Sequence, residues 1–476
     1  MSKLKNNFLM FSIAIIFALF FGSLILKSHL YFLVGISIFI LAAIALKSPL
    51  LFLILMVIIY EKGFQTIDFG IPHWMYVENI AVIFLVIGLI IQFIKGKFGD
   101  YFIKEDIYFR YVLLIFLIVF SSIFIGSWWI LNQPIETLIF RTREFFLYLI
   151  FLYLTMANFN CGQIKRFIKF GAYSALIISI LVIIDAKLLG GGKIFHLAMS
   201  NGVSGVRTGT VRIFTYPFIT IWAYFYLLSV IRFEKEIIRK VLYIIFILII
   251  SYQIIFCNMT RQIIVMLFLT TILYFFNIKF FSKIIITSTI GVIIILAGII
   301  YANNSNLLKN SFFYKITQVT QYEATQTMEG NIAIRLNAIK YFYPYFKKTG
   351  FLGIGTMSFS YENSPTRIGV KKGYVFGDLG FFAILFKFGV FSVIFIIFVL
   401  KSIFKDLRFI EAEESYSEIK IIADSLIYLF ISQIILLPSS TIFFGGHYIL
   451  YYGIIFYFIS RIKKDVARKA SNVINT

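Results

Sequence analysis

The chain has 476 residues, of which 60% are hydrophobic, 19% aromatic and only 14% charged; Phe alone occurs 58 times. A soluble protein of this make-up would lack the polar surface to stay dispersed, so its repeated apolar runs of roughly 17–25 residues read as membrane spans. The formal net charge of +22 is spread through short loops rather than gathered in one basic block, which argues for membrane topology and against nucleic-acid binding.

In chain order, the run Phe8–Leu26 follows MSKLKNN and is long for a cleaved signal peptide, so it reads as a retained signal-anchor span. Further spans are expected near 30–46, 48–60, 79–94, 111–130, 144–158, 171–188, 214–231, 241–257, 262–278, 284–302, 376–400, 419–437 and 441–460. The expected fold is all-α: a polytopic integral membrane protein with about 14 transmembrane helices and one large, partly helical extracytoplasmic loop. Residues 1–302 carry the first eleven spans, 303–375 form the loop, and 376–476 carry the last three spans and a tail. With a cytoplasmic N-terminus, about 25 Lys and Arg residues fall in inner loops, about 9 in short outer loops and about 9 in the long one. Both termini are then cytoplasmic.

Within the large loop, Leu307, Leu308, Phe312, Phe313, Ile316 and Val319 recur at helical spacing. So do Ile332, Leu336, Ile339 and Phe346, with Pro344 expected to break the second helix. Cys161 and Cys257 fall near opposite faces, and the chain has no Cys/His metal spacing.

Seven arginines map to the outer face, against the general bias: Arg141, Arg143, Arg207, Arg212, Arg261, Arg335 and Arg367. A guanidinium keeps its charge and offers a planar fork of donors, which suits a phosphate-bearing ligand. Arg207 and Arg212 lie in a segment that ends at Pro217, after a loop made pliable by Gly191, Gly192, Gly202 and Gly205. Arg261 sits in the tight turn Asn258-Met259-Thr260-Arg261-Gln262, where the alternative is a snorkelling anchor. Arg335 precedes a stretch with Gly350, Gly353 and Gly355; with no Walker lysine and an outward position, this is not a nucleotide loop. Asp378 stands at the mouth of the following span, as a candidate general base or a helix N-cap. Lys387 falls well inside that span, as a charge facing a cavity or a partner would. Asp185 and Asp424 lie near span ends and read as solvated, and His447 as a core histidine.

In this arrangement the chain resembles the O-antigen ligase and Wzy-type polysaccharide polymerase superfamily. Arg207–Pro217 looks like its arginine-and-glycine segment, and Thr260-Arg261-Gln262 like its Ser-Arg-Gly turn. Arg335 with Gly350-Phe351-Leu352-Gly353-Ile354-Gly355 looks like its periplasmic arginine and glycine stretch. Asp378 and Leu379 stand where the ligases have His-Asn, a departure that favours a polymerase over a ligase. The motifs cover roughly residues 200–400.

The resemblance implies glycosyl transfer from an undecaprenyl-diphosphate-linked oligosaccharide at the outer face of the bacterial cytoplasmic membrane, joining repeat units of capsule, exopolysaccharide or O-antigen. Catalysis would fall to Arg261, Arg335 and Asp378, with Glu323 and Glu329 as fallback bases; Arg207, Arg212, Gly353 and Gly355 would bind substrate. No metal or other cofactor is implied. The expected partners are the lipid-linked glycan, the bilayer, and flippase and chain-length regulator proteins. Two other functions fit the same sequence: an O-antigen ligase, and a lipid-linked oligosaccharide flippase, which Lys387 alone favours.

Overall fold

The computed structural model describes residues 48–61, 77–95, 106–135, 138, 142–195, 205–207, 210–213, 215, 218–258, 260–276, 331–355, 361–374, 376–413, 418–437, 441–445 and 448–474. Expected spans 8–26, 30–46 and 284–302 lie outside these residues, as do the first helix of the large loop, Glu323, Glu329, Arg141 and His447.

The described residues form a helical bundle with one short hairpin. Its helices are α1 (Pro49–Tyr60), α2 (Val77–Ile94), α3 (Ile107–Ser121), α4 (Ile150–Met156), α5 (Cys161–Lys187), α6 (Phe218–Phe233), α7 (Ile237–Tyr252), α8 (Arg261–Phe276), α9 (Asn331–Lys348), α10 (Pro365–Lys371), α11 (Phe381–Phe388), α12 (Val390–Glu413), α13 (Glu418–Leu436) and α14 (Ile449–Ile474). A 3₁₀ segment, Arg143–Leu149, leads into α4. Two helices widen into π turns before they end, α3 over Ser122–Ile130 and α7 over Gln253–Asn258. Local sequence sets several starts. Asp106 caps α3 by accepting from Tyr108 N at 3.0 Å, and Asn160 and Gln163 form a reciprocal capping box on α5.

The fourteen expected spans are matched only in part among the described residues. Four are long and apolar enough to cross a membrane: Ile107–Ile130, Cys161–Lys187, Ile237–Asn258 and Glu418–Leu436. Pro49–Tyr60, Asn79–Ile94, Phe218–Phe233 and Gln262–Phe275 are apolar but shorter. Large apolar side chains also cover the outside, among them Leu117, Trp129, Ile177, Leu248, Phe391 and Ile397. Helices apolar inside and out are what a bilayer stabilises, and water does not.

α14 runs through the middle of the bundle. From Ile449 to Ile459 every residue is buried, and Tyr451, Tyr452, Phe456 and Phe458 are fully so. Tyr451 donates to Glu61 at 2.6 Å and stacks on Phe218, while Tyr457 donates to the Phe159 carbonyl at 2.6 Å. Polar groups then fasten one end of the bundle. Lys464 pairs with Asp106 at 2.7 Å and Lys463 with Asp406 at 2.8 Å, both carboxylates being buried. Ser460 also donates to Asp106, and Tyr108 donates to Asp406 at 3.0 Å. Lys169 pairs with Glu418 at 2.6 Å and Arg232 with Asp424 at 3.4 Å at the same end. The segments assigned to the inner side from sequence therefore meet one another.

Three local expectations are corrected. The helix over 331–348 runs through Pro344, which is exposed; its missing N–H costs one helical bond without ending the helix. The expected span 376–400 is broken: Gly389, at φ +81, separates α11 from α12. Asp185 and Asp424 are not solvated but buried.

Candidate functional site

The hairpin β1 (Gly205–Arg207) and β2 (Thr210–Arg212) pairs Gly205 with Arg212 and Arg207 with Thr210. Beyond it, Ile213 N donates to Cys257 O at 3.0 Å, which fastens the chain to the π turn that ends α7. Arg212 is 8% exposed. Its Nε donates to the Asn258 carbonyl at 2.7 Å, and a terminal nitrogen donates to Thr260 Oγ1 at 3.0 Å. Thr260 in turn donates to Asn258 Oδ1 at 2.5 Å, and Asn258 Nδ2 reaches Thr215 O at 3.4 Å. Two segments singled out separately in the sequence are thus one polar cluster, and Arg261 follows at once as the first residue of α8. The side chains of Arg207 and Arg261 lie outside the described residues.

The floor beside this cluster is held by Asp185, at the end of α5. Its carboxylate is fully buried and accepts four backbone N–H groups, from Gly192, Lys193, Ile194 and Phe195, at 2.9–3.2 Å. The loop can wrap so tightly because Gly191, at φ +85, lies against Val211 of the hairpin, where a Cβ would overlap. Successive N–H groups converging on one carboxylate satisfy its charge without a cation.

The glycine stretch has a different local chemistry. Ile354 N donates to Phe386 O at 2.7 Å and Gly355 N to Lys387 O at 2.8 Å, so both amides satisfy the last carbonyls of α11. Ser127 of the first π turn donates to Ile354 O at 2.5 Å. Gly126, Gly353, Gly355 and Gly389 let three backbones cross without side chains between them. A methyl at Gly126 would overlap the Gly353 carbonyl, and one at Gly353 the Lys387 carbonyl. In this arrangement Gly353 and Gly355 are buried, and the Ile354 and Gly355 amides are taken up by carbonyls of α11.

Arg335 is half-buried on α9. The buried face of that helix is Ala338, Phe342 and Phe346; of the expected row, Phe346 is buried and Ile339 packs on the same cluster, while Leu336 is 54% exposed. This face packs on Phe376, Leu379, Ala383 and Phe386, with the Phe342 and Phe376 rings 4.0 Å apart. Asp378 belongs to the 3₁₀ turn Phe376–Leu379 in that cluster, though its side chain lies outside the described residues. The structure therefore joins the elements of Arg335 and Asp378, just as it joins those of Arg212 and Arg261. Arg367 pairs with Glu362 at 3.4 Å. Lys387 is not in mid-span: it lies in the last turn of the short α11, with its ammonium 5.3 Å from the centre of the Phe376 ring.

Sequence reasoning missed Asp185, Gly126 and Gly389. Asp185 carried one signal, a run of glycines that begins five residues on. No protein-family model matches the chain, and no curated protein matches it. Fold and surface together define a helical membrane protein.

Proposed function

We propose that the protein is a polysaccharide polymerase that transfers a growing glycan from undecaprenyl diphosphate to the next lipid-linked repeat unit, at the outer face of the bacterial cytoplasmic membrane. The acceptor hydroxyl attacks the anomeric carbon, the bond to the lipid diphosphate breaks, and the hydroxyl proton passes to a carboxylate. Arg261 and Arg335 meet the growing charge of the leaving diphosphate, and Asp378 takes the proton. Fixed guanidinium groups in a poorly hydrated cleft do this without the reorganisation that water would need.

The observation that carries the reading is the Arg212–Asn258–Thr260 cluster. It couples the two arginine segments whose order and sidedness resemble the polymerase superfamily. It also gives Arg212 a positioning role rather than a ligand contact. The basic segments gathered at the far end favour that end as the cytoplasmic one. The test is reconstitution of the full chain with a purified undecaprenyl-diphosphate-linked repeat unit. Polymer should form, and Arg261→Ala and Arg335→Ala should each abolish it in folded protein. Undiminished polymer in both variants would remove the arginine mechanism. A cell-based assay separates the ligase function: a polymerase-null strain keeps one repeat unit on the final acceptor, whereas a ligase-null strain keeps none.

A further inference from the structure

At the end of the bundle away from Arg212, the N-terminal halves of α5 and α7, the first turn of α13 and the C-terminal half of α6 enclose a cavity of about 320 Å³. Its inner wall is apolar, with Ala172, Leu227, Val230 and Phe246, and the rings of Tyr173 and Tyr243 flank it. Its mouth carries Lys169, Arg239, Glu234 and Glu418. The acids there orient the cations: Glu418 lies 2.6 Å from Lys169 and 3.5 Å from Lys165, and Arg239 lies 2.9 Å from Glu236. At the mouth itself the two signs balance, and the excess of positive charge lies around it. The surrounding segments 165–169, 232–240 and 418–424 hold eight Lys and Arg residues against four Asp and Glu. The local field therefore favours an anion.

An exposed apolar stripe leads away from this mouth on α5, where Tyr173, Ile177 and Ile180 share the face of Lys169. From Lys169 to Ile180 the helix rises about 16 Å, close to the ~15 Å of one hydrocarbon leaflet. A charged mouth above an apolar stripe of that length matches a molecule with a phosphate at one end and acyl chains at the other.

We propose that this cavity binds the phosphate headgroup of an anionic phospholipid, with the acyl chains lying along α5. The proposal needs the chain to sit in a bilayer and is independent of the glycosyl-transfer reading. Basic pockets between membrane helices bind such headgroups by charge, and the apolar wall excludes water from the contact.

The test is native mass spectrometry of the full chain in detergent, titrated with phosphatidylglycerol and with phosphatidylcholine of the same acyl chains. The expected result is retention of the anionic lipid about tenfold above the zwitterionic one, and loss of that preference in Lys169→Gln/Arg239→Gln. Lys401→Gln/Lys405→Gln removes two exposed cations from α12 at the same end, outside the cavity lining, and should keep the preference. Should the first double variant not fold, Val230→Phe fills the cavity without changing charge and should remove the preference too. Equal retention of both lipids by the unaltered chain overturns the proposal. So does a preference that survives in the cavity variants, or one that the control loses equally. Displacement of the lipid by millimolar inorganic phosphate would make free phosphate the ligand, and overturns the lipid assignment.

Discussion

Arg212 and Asn258 are joined by a 2.7 Å hydrogen bond, from guanidinium Nε to backbone carbonyl, across 46 residues of sequence. A second bond from the same guanidinium to Thr260 makes the contact two-pronged. Lysine keeps the charge but is a single point of donation, and it does not span both acceptors. Arg212→Lys is therefore expected to lose about 1.5–3 kcal/mol. It should lower the melting temperature and speed amide exchange at 258–262. An unchanged melting temperature with unchanged exchange would show that the cluster does not hold the turn.

The glycines of the backbone crossing should separate sharply from those of open turns. Gly126→Ala and Gly353→Ala place a methyl on a carbonyl oxygen that belongs to another packed segment. Each is expected to cost at least about 2–3 kcal/mol and to deplete the monodisperse peak in size-exclusion chromatography. Gly350 and Gly373 also have positive φ but meet nothing within 4 Å, so Ala there should cost only about 1 kcal/mol. Equal losses at all four positions would rule out the crossing as the cause.

Asp185 should show graded damage. Its Oδ2 accepts from Gly192, Ile194 and Phe195, and its Oδ1 from Lys193. Asn keeps an oxygen for three of these donors and turns an amide toward the fourth; Ala leaves all four without an acceptor. The expected order of exchange protection at 192–195 is Asp above Asn above Ala, with at least about 3 kcal/mol lost in the alanine variant.

Arg335 separates chemistry from folding. It is half-buried on α9, one turn before Ala338 on the same stripe as Phe342 and Phe346. Arg335→Ala is expected to cost about 1 kcal/mol of stability while abolishing polymer formation. Phe342→Ala, on the packed face, should instead cost about 3–5 kcal/mol and lower both readouts.

Much of the helix pattern was legible because apolar runs and their charged flanks are local properties. Expected spans 48–60, 79–94, 241–257 and 419–437 match α1, α2, α7 with its π turn, and α13 to within a few residues. What was not legible depends on a partner distant in sequence. Gly389 breaks a run that reads as one apolar span, because the Phe351–Leu352 backbone must approach it there. Asp185 looks solvated until the loop that wraps it is known. The pairing of Arg212 with Asn258 and Thr260 is likewise tertiary: residue types pointed to both segments, but nothing local showed that they touch.

The burial of α14 has a consequence for biogenesis. The helix at the centre of the bundle is the last of those described to leave the ribosome. Its partners Asp106, Tyr148 and Phe159 are made some 300 or more residues earlier. Until α14 arrives, the helices that will surround it have a vacant axis and buried acids with no lysines to meet them. The bundle therefore closes late, around a core supplied by the last of these helices to be made, and the earlier ones enter the membrane as separate elements rather than as a growing domain.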